Sequence, residues 1–462
     1  MCIFEIAVDG STMKRPPRVA FVSLGCAKNL VDSEKMLGLL AEGGCEFTSD
    51  PQDADAIVIN TCGFLDASRA EAHQAIAEAA AHKNSRRRPR VVVAGCLVQR
   101  DGSRLLQDVA GIDALVGVNN REDIVKAVLG RRPERPDLYL GDYYWRQDND
   151  RSRLRLTPTH FAYLRISEGC NQSCTFCTIP SIRGPMHCKS AEQIVAEARE
   201  LVADGAVEIN LIGQDTTSYG ADINYQPGLS GLLRELNRVD GLGWIRLMYV
   251  YPSDFTDEMI QAIADCEKVV KYIDIPLQHI NDRILKAMHR RVTRLQTVTL
   301  LERIRRMIPG VALRTTMITG FPGETDAEFE ELLEFVEDVR FDALGVFPYS
   351  QEPGTPAGRM RDQIPNEVKQ ARADELMNVQ QEVAFELAEQ RVGQVFTVLI
   401  DGPPAEGAQP SRHGGQAPEV DSMTLVRGAR YQPGELVEVR CTATRDYDLI
   451  AMPTRVLLPV LS

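Results

Sequence analysis

Three cysteines at a CxxxCxxC spacing, Cys170, Cys174 and Cys177, are the residues of this chain best placed to do chemistry. They lie in Glu168-Gly169-Cys170-Asn171-Gln172-Ser173-Cys174-Thr175-Phe176-Cys177. The preceding run, Phe161-Ala162-Tyr163-Leu164-Arg165-Ile166, predicts a strand that ends at the motif. Three thiolates this close can bind three irons of a 4Fe-4S cluster and leave the fourth iron open to a substrate or cosubstrate. The alternative occupant is zinc, which normally takes four protein ligands at a closed site. A fourth ligand at fitting spacing is not obvious, although His187 and Cys188 stand near in sequence.

A second set of thiols repeats a position rather than a spacing. Val19-Ala20-Phe21-Val22 leads to Gly25-Cys26, Ile57-Val58-Ile59 to Cys62-Gly63, and Val91-Val92-Val93-Ala94 to Gly95-Cys96. The intervals between them suit a strand-helix-strand unit of roughly 30 residues or more. Right-handed crossovers then build a parallel sheet with Cys26, Cys62 and Cys96 together at its carboxyl edge, where open α/β sheets bind ligands. Taken alone, each thiol reads as a small core residue. Three at one topological position point to ligation. Cys2, Cys45, Cys188, Cys266 and Cys441 lack such a context and read as packing or incidental residues.

The elements that must hold these residues divide the chain into an α/β body and a β tail. The open parallel α/β sheet domain spans 17–131, and a segment rich in Arg, Asp, Pro and Tyr links it, over 132–155, to the next. Over 156–388, strands at Phe161, Val207–Leu211, Ile245–Met248, Tyr272–Ile275, Ala312–Ile318 and Ala343–Phe347 alternate with helical stretches such as Glu328–Val336, a partial (β/α)6 barrel. Ser190 and Gln193 make a capping box at the start of one of its helices. The loops Gly213-Gln214-Asp215 and Gly320-Phe321-Pro322-Gly323-Glu324 follow strands as the cysteine motif does, with turn formation the plainer reading of their glycines. Short β-rich runs over 391–460, including Val395–Ile400, Met423–Val426 and Leu436–Cys441, predict a small C-terminal antiparallel β-barrel.

Composition narrows the class. The 462 residues exceed one hydrophobic core, and 44% apolar with 25% charged residues is ordinary for soluble domains. MCIFEIAVDG is acidic where a signal peptide is basic, and no apolar run nears the roughly 18 residues of a membrane span. The expectation is a cytoplasmic protein, whose 11 cysteines are then reduced, so that metal binding rather than a disulfide framework is the leading use to test. A net charge of −13 disfavours affinity built mainly on phosphate neutralisation and suits a basic partner. The run Arg86, Arg87, Arg88 and Arg90 reads as a solvated loop and is given no role.

CxxxCxxC with an aromatic before its last cysteine resembles the signature of the radical S-adenosylmethionine (SAM) superfamily. The resemblance implies that Cys170, Cys174 and Cys177 hold a cluster whose open iron is chelated by SAM, with Phe176 near the adenine. It also makes Gly213 and Gly320 candidates to line the SAM pocket. Reductive cleavage of SAM then yields a 5′-deoxyadenosyl radical that removes hydrogen from carbon. With the three strand-end cysteines and the β tail, nearly the whole chain is similar to the methylthiotransferase family. That resemblance implies a second 4Fe-4S cluster on Cys26, Cys62 and Cys96, a TRAM domain as the tail, and SAM consumed both as methyl donor and as radical source.

Within the family, Ser23-Leu24-Gly25-Cys26-Ala27-Lys28-Asn29-Leu30-Val31-Asp32-Ser33-Glu34, Ile166-Ser167-Glu168-Gly169-Cys170-Asn171 and Ala417-Pro418-Glu419-Val420-Asp421 resemble the ribosomal branch. That branch modifies an aspartate β-carbon of small-subunit ribosomal protein twelve. Ala27 stands where the motif usually has Pro, a departure that touches no ligand. From Arg391 to Ser462 the tail carries seven Arg, no Lys and eight acidic residues, so it nets −1, less basic than a tRNA-binding tail is expected to be. The implied partners are ribosomal protein twelve, free or within the subunit, and an electron donor such as flavodoxin, with direct RNA contact left open and no membrane. The rival readings are the tRNA branch, which modifies an adenosine with the same cysteines, and a non-catalytic iron-sulfur or zinc protein. No side chain stands out as a general acid or base, and His279 reads equally as a pocket wall or hydrogen-bonding residue.

Overall fold

The computed structural model describes residues 15–130, 134–141 and 149–454. Contacts divide the chain into two compact units, Met1–Tyr144 with Ser152–Leu154, and Trp145–Arg151 with Arg155–Ser462. Among the described residues no helix is long and apolar enough to cross a membrane.

The first unit is a parallel six-stranded sheet of β1 (Arg18–Ser23), β2 (Glu46–Phe47), β3 (Ala56–Thr61), β4 (Arg90–Gly95), β5 (Ala114–Val116) and β6 (Asp137–Tyr139). Its spatial order is β2-β1-β3-β4-β5-β6. Side chains alternate along a strand, so Ile57, Ile59, Val91 and Val93 pack with Ala72 and Ile76 of the helix Asp66–Ala81. Val58, Val92 and Ala94 pack on the other face with Met36 and Leu40 of Ala27–Glu42 and with Ile124, Ala127 and Val128 of Ile124–Leu129. Both faces are covered, which is why the middles of β1, β3 and β4 are apolar on both sides.

Part of the expected connector is strand. β6 pairs with β5, because the outer edge of β5 carries backbone groups that need partners, and buried Arg90 reaches Asp137 at 2.5 Å. Arg90 is therefore structural and not part of a solvated loop; it also donates to the Ala127 carbonyl at 2.6 Å. Residues 132–133 and 142–148 of that connector, residues 455–460 of the expected tail, and Cys2 lie outside the described residues.

The second unit opens with β7 (Phe161–Arg165), followed by the short antiparallel pair β8 (Ser167–Glu168) and β9 (His187–Cys188). β10 (Glu208–Ile212), β11 (Trp244–Leu247), β12 (Val269–Asp274), β13 (Ala312–Thr319) and β14 (Ala343–Pro348) complete an open parallel sheet in the order β14-β13-β12-β11-β10-β7. Its helix-facing residues, among them Leu164, Ile209, Leu211, Ile245, Leu247, Ile273 and Leu313, form one large apolar core. The alternate positions carry Arg165, Asn210, Arg246, Asp274 and Arg314, so the lumen of the half-barrel is polar. Capping boxes start Ala191–Ala203, as expected from Ser190 and Gln193, and also Arg294–Met307 and Asp326–Val339.

After the long helix Asn366–Glu389, the strands β15 (Val395–Ile400), β16 (Gln409–His413), β17 (Thr424–Val426), β18 (Leu436–Arg445) and β19 (Asp448–Pro453) close into a barrel. The expected antiparallel barrel is corrected at one seam: β17 and β19 pair in parallel, since five strands in a ring cannot alternate direction all the way round. This tail is keyed into the half-barrel. Arg412 bonds Glu208 at 2.6 Å, Arg246 bonds Glu208 at 2.8 Å and donates to the Gly414 carbonyl, and His160 meets Asp401 at 2.9 Å. The Tyr163 hydroxyl donates to Glu419 and the Tyr272 hydroxyl to Asp421, each at 2.8 Å.

Candidate metal centres

In the first unit Cys26 directly precedes the helix Ala27–Glu42, Cys62 follows β3, and Cys96 begins the helix Cys96–Asp101 after β4. The strands they follow, β1, β3 and β4, are neighbours, so the three cysteines share one stretch of the carboxyl edge. Their loops touch. Gly25 sits at φ +97°, and a Cβ there would stand 2.8 Å from Cys62 Cβ; a Cβ on Gly63 would stand 2.8 Å from the Cys96 carbonyl carbon. Glycine is required at Gly25 for both conformation and space.

Behind this edge a buried polar network fixes the loops. Asn60 donates to the Asn29 carbonyl at 2.9 Å and to Ser33 Oγ at 2.8 Å, Asn29 donates to the Leu24 carbonyl at 2.5 Å, and the Ser23 and Ser33 hydroxyls are 2.7 Å apart. No side chain caps the helix behind Cys26, which leaves first-turn amides to face an anionic group at the edge. Cys26 is exposed while Cys62 and Cys96 are buried, so the set opens to solvent on one side.

In the second unit Glu168 organises the loop that holds Cys170, Cys174 and Cys177. One carboxylate oxygen accepts from Arg165 at 2.5 Å and Arg183 at 2.7 Å; the other accepts from Gln214 at 2.6 Å and from the Gly169 amide at 3.2 Å. This joins the end of β7, the helix Ile179–Arg183 and the loop after β10 around one buried charge. Further along the loop, Gln172 donates to Asp215 at 2.9 Å and Thr175 donates to the Ala287 carbonyl at 2.9 Å. Backbone amides donate to sulfur at both ends, Gln172 N to Cys170 Sγ and Ile179 N to Cys177 Sγ, each at 3.4 Å. Arg290, stacked 4.2 Å over the Tyr251 ring, places its guanidinium 3.7 Å from Cys174 Sγ.

Burial pushes the Cys170 thiol up to about 11 and Cys177 to about 12, against the smaller lowering from the amides of Gln172 and Ile179. These thiols keep their protons until a metal displaces them. Among the described residues no three His, Cys, Asp or Glu side chains converge on a point where one metal ion would sit. His187 and Cys188, the nearby candidates for a fourth zinc ligand, are on β9, where Cys188 Sγ accepts from the Gly220 amide within the apolar core. A cluster makes a different demand, one thiolate for each of three irons, and N–H···S bonds suit its sulfurs, so the donor set fits a 4Fe-4S group.

The other expected residues scatter around this loop. Phe176 packs with Ile284, Met288, Phe321 and Tyr349, which brings it to the loop after β13. Gly213 lies against Ser167, whose Oγ would be 2.6 Å from an added Cβ. Gly320, at φ +70°, donates to both oxygens of Glu324 at 3.0 Å, and its bare face lies on Lys369, so the long helix accounts for that glycine. His279 is buried 3.4 Å from Glu324, and its Nδ1 accepts from the Asn281 amide at 3.0 Å, a hydrogen-bonding role. Cys45, Cys188, Cys266 and Cys441 lie in apolar clusters. Sequence reasoning left Glu168, Arg290 and Asn60 without roles; a Glu immediately before Gly-Cys was the one available signal.

Three family models cover most of the chain: the uncharacterized protein family UPF0004 over residues 18–117, the radical SAM superfamily over 164–336 and the TRAM domain over 392–453. A relative from Anaeromyxobacter sp. (strain K), the ribosomal protein uS12 methylthiotransferase RimO, is 44% identical over 94% of this chain and 92% of its own length. RimO of Symbiobacterium thermophilum is 44% identical over 96% and 92%, and RimO of Geobacter sulfurreducens 43% over 94% and 98%. Among solved structures, the radical SAM methyltransferase TsrM of Kitasatospora setae, with cobalamin and a [4Fe-4S] cluster bound, matches with a TM-score of 0.53. It covers 86% of this chain and 77% of its own at 15% identity, a likeness of fold. Near full-length identity of 43–44%, with radical SAM and TRAM domains in the expected order, settles the family: the chain is a radical SAM enzyme, a methylthiotransferase that uses SAM and 4Fe-4S clusters, and it belongs to the RimO family.

Proposed function

We propose that this chain methylthiolates the β-carbon of an aspartate in ribosomal protein uS12, in the cytoplasm, with Cys26, Cys62 and Cys96 holding one 4Fe-4S cluster and Cys170, Cys174 and Cys177 the other. One observation carries the reading: two sets of three cysteines, each gathered at the carboxyl side of its own parallel sheet. When bound, the cluster in the second unit supplies one-electron cleavage of SAM, and that in the first presents an iron at which sulfur is held.

The division of the chain follows: 17–131 serves the sulfur-bearing cluster, 132–155 links, 156–388 serves the radical step and 391–460 is the TRAM tail. The protein's own residues position and shield. Glu168, Gln172 and Thr175 hold the cysteine loop in place. Phe176, backed by Met288 and Phe321, walls the SAM pocket, with Gly213 beside Ser167 at its edge, while the bare face of Gly320 serves Lys369 of the long helix. Arg290 puts a buried positive charge beside Cys174 Sγ. No acid-base residue is needed, since hydrogen abstraction depends on orientation and exclusion of water. A net charge of −13 favours approach of a basic ribosomal protein, and an electron donor such as flavodoxin completes the system.

The test is intact and peptide mass analysis of uS12 from cells with and without this chain. The expected result is a methylthio increment on one aspartate that depends on it. An unchanged uS12 together with loss of methylthio-adenosine from tRNA would move the acceptor to tRNA and leave the cysteine assignments standing.

A further inference from the structure

Beside the cysteine loop lies a cleft of about 520 Å³ whose lining includes Ser173, Asp282, Lys286, His289, Arg290 and Arg291. Ser173 stands between Cys170 and Cys174 in the motif, and its hydroxyl is 3.3 Å from His289 Nδ1, so the cleft begins on the outer face of the cluster loop. Lys286 and Arg291 are exposed, and neither side chain has an acidic partner among the described residues. With Arg290 they set three cations against the single carboxylate of Asp282. On a chain of net charge −13, that is a local reversal of sign. Leu295, 75% exposed, adds an apolar knob next to the lining residue Gln296.

The cleft also has a short way inward. Arg290 is 8% exposed, lines the cleft, stacks on Tyr251 and contacts Cys174 Sγ, so one side chain separates the cleft from a sulfur of the site. Electron transfer weakens steeply with distance, and a donor must therefore dock where little protein intervenes. The net charge of −13 repels an acidic donor at long range, while a basic landing area steers it to one orientation. A basic substrate such as a ribosomal protein is turned away from the same place.

We propose that this cleft is the docking surface for a small acidic redox protein, a flavodoxin-type donor that delivers one electron to the cluster held by Cys170, Cys174 and Cys177. The inference rests on the assignment of those three cysteines as cluster ligands. In the step the reduced donor loses one electron and the cluster gains it; no covalent bond forms or breaks.

The experiment compares the reconstituted holoenzyme with its Lys286→Glu/Arg291→Glu variant. Binding of purified oxidised flavodoxin and of a short single-stranded RNA is measured by surface plasmon resonance across ionic strength, and 5′-deoxyadenosine formation is measured with dithionite, a reductant that needs no docking. The expected result is flavodoxin affinity weakened on the order of tenfold at low salt, mainly through kon, with most of its salt dependence lost. Dithionite-driven 5′-deoxyadenosine formation should be unchanged, and Lys286→Arg should bind as the parent does. Flavodoxin binding that is equal in parent and variant, whether or not RNA binding falls, overturns the docking surface. Absence of dithionite-driven 5′-deoxyadenosine in the parent overturns the cluster assignment instead.

Discussion

Replacing Glu168 by glutamine removes the one charge around which the cysteine loop is assembled. The carboxylate is 7% exposed and accepts from Arg165 and Arg183 on one oxygen and from Gln214 and the Gly169 amide on the other. Glutamine keeps one acceptor and turns the other oxygen into an NH2 donor. With its carbonyl toward Arg165 and Arg183, the NH2 faces Gln214 and the Gly169 amide. Gln214 can turn its own amide to meet it, since its carbonyl oxygen is buried and lacks a hydrogen-bond partner. The two guanidiniums still lose their shared negative charge, although Arg165 keeps Asp150 at 2.7 and 3.0 Å. Breaking a buried ion pair costs about 3–5 kcal/mol, and the retained Asp150 and the Gln214 turn place the loss near 3. At roughly 1.5 °C per kcal/mol for a unit of about 315 residues, the Tm of the second unit should fall by about 4–5 °C, read by calorimetry on metal-free protein. Because Cys170 hangs two residues beyond Glu168, reconstituted E168Q should also hold roughly half the iron of the parent, the set in the first unit being untouched. A double-mutant cycle with Arg183→Met gives the coupling directly. Parent-like Tm and full iron in E168Q would refute the claim that this carboxylate holds the loop.

Two further outcomes follow from the same geometry. Cys174→Ala should abolish 5′-deoxyadenosine formation yet leave methylation of sulfur on the other cluster, and Cys62→Ala should cleave SAM without sulfur insertion; equal loss of 5′-deoxyadenosine in both would contradict the division of labour. Burial, with Arg391 and Arg246 adding to it, holds His413 well below the ordinary histidine range, so the folded state refuses a proton that the unfolded chain takes near pH ~6.5. That contribution is full above ~6.5 and is lost as pH falls further. Glu208 and Asp401 are held low despite burial, chiefly by Arg412 and Arg246 for Glu208 and by His160 and Arg412 for Asp401, and their share is lost below pH ~4. The urea midpoint should therefore drop in two stages on acidification, and His413→Gln should remove only the upper one.

What the sequence revealed depended on whether a residue's partners lie close in the chain or share its pattern. β1, β3 and β4 were legible to within a residue or two because both faces are apolar. β2 has both residues exposed and β6 three residues at an edge, so neither carries a pattern. β16 reads Gln-Pro-Ser-Arg-His and is nearly all buried, since Gln409 donates to the Gly402 carbonyl, Ser411 to that of Thr424, and Arg412 pairs with Asp401. Hydrophobic periodicity is blind to a strand whose polar groups are satisfied internally. The cysteines were legible for the opposite reason, as spacing and strand-end position are local. Arg290 was not, because 116 residues separate it from Cys174.

The polar lumen of the half-barrel constrains how the protein is made. Glu208, Arg246, Tyr163, Tyr272 and Arg314 are synthesised long before Arg412, Gly414, Glu419 and Asp421, which complete their bonding. A nascent chain that has only the six parallel strands holds half-satisfied charges in a cavity still open at that end, and burying them costs more than leaving them wet. The interior of the half-barrel is therefore expected to set only when the tail has left the ribosome, and a chain cut short before it is expected to stay expanded and open to proteolysis.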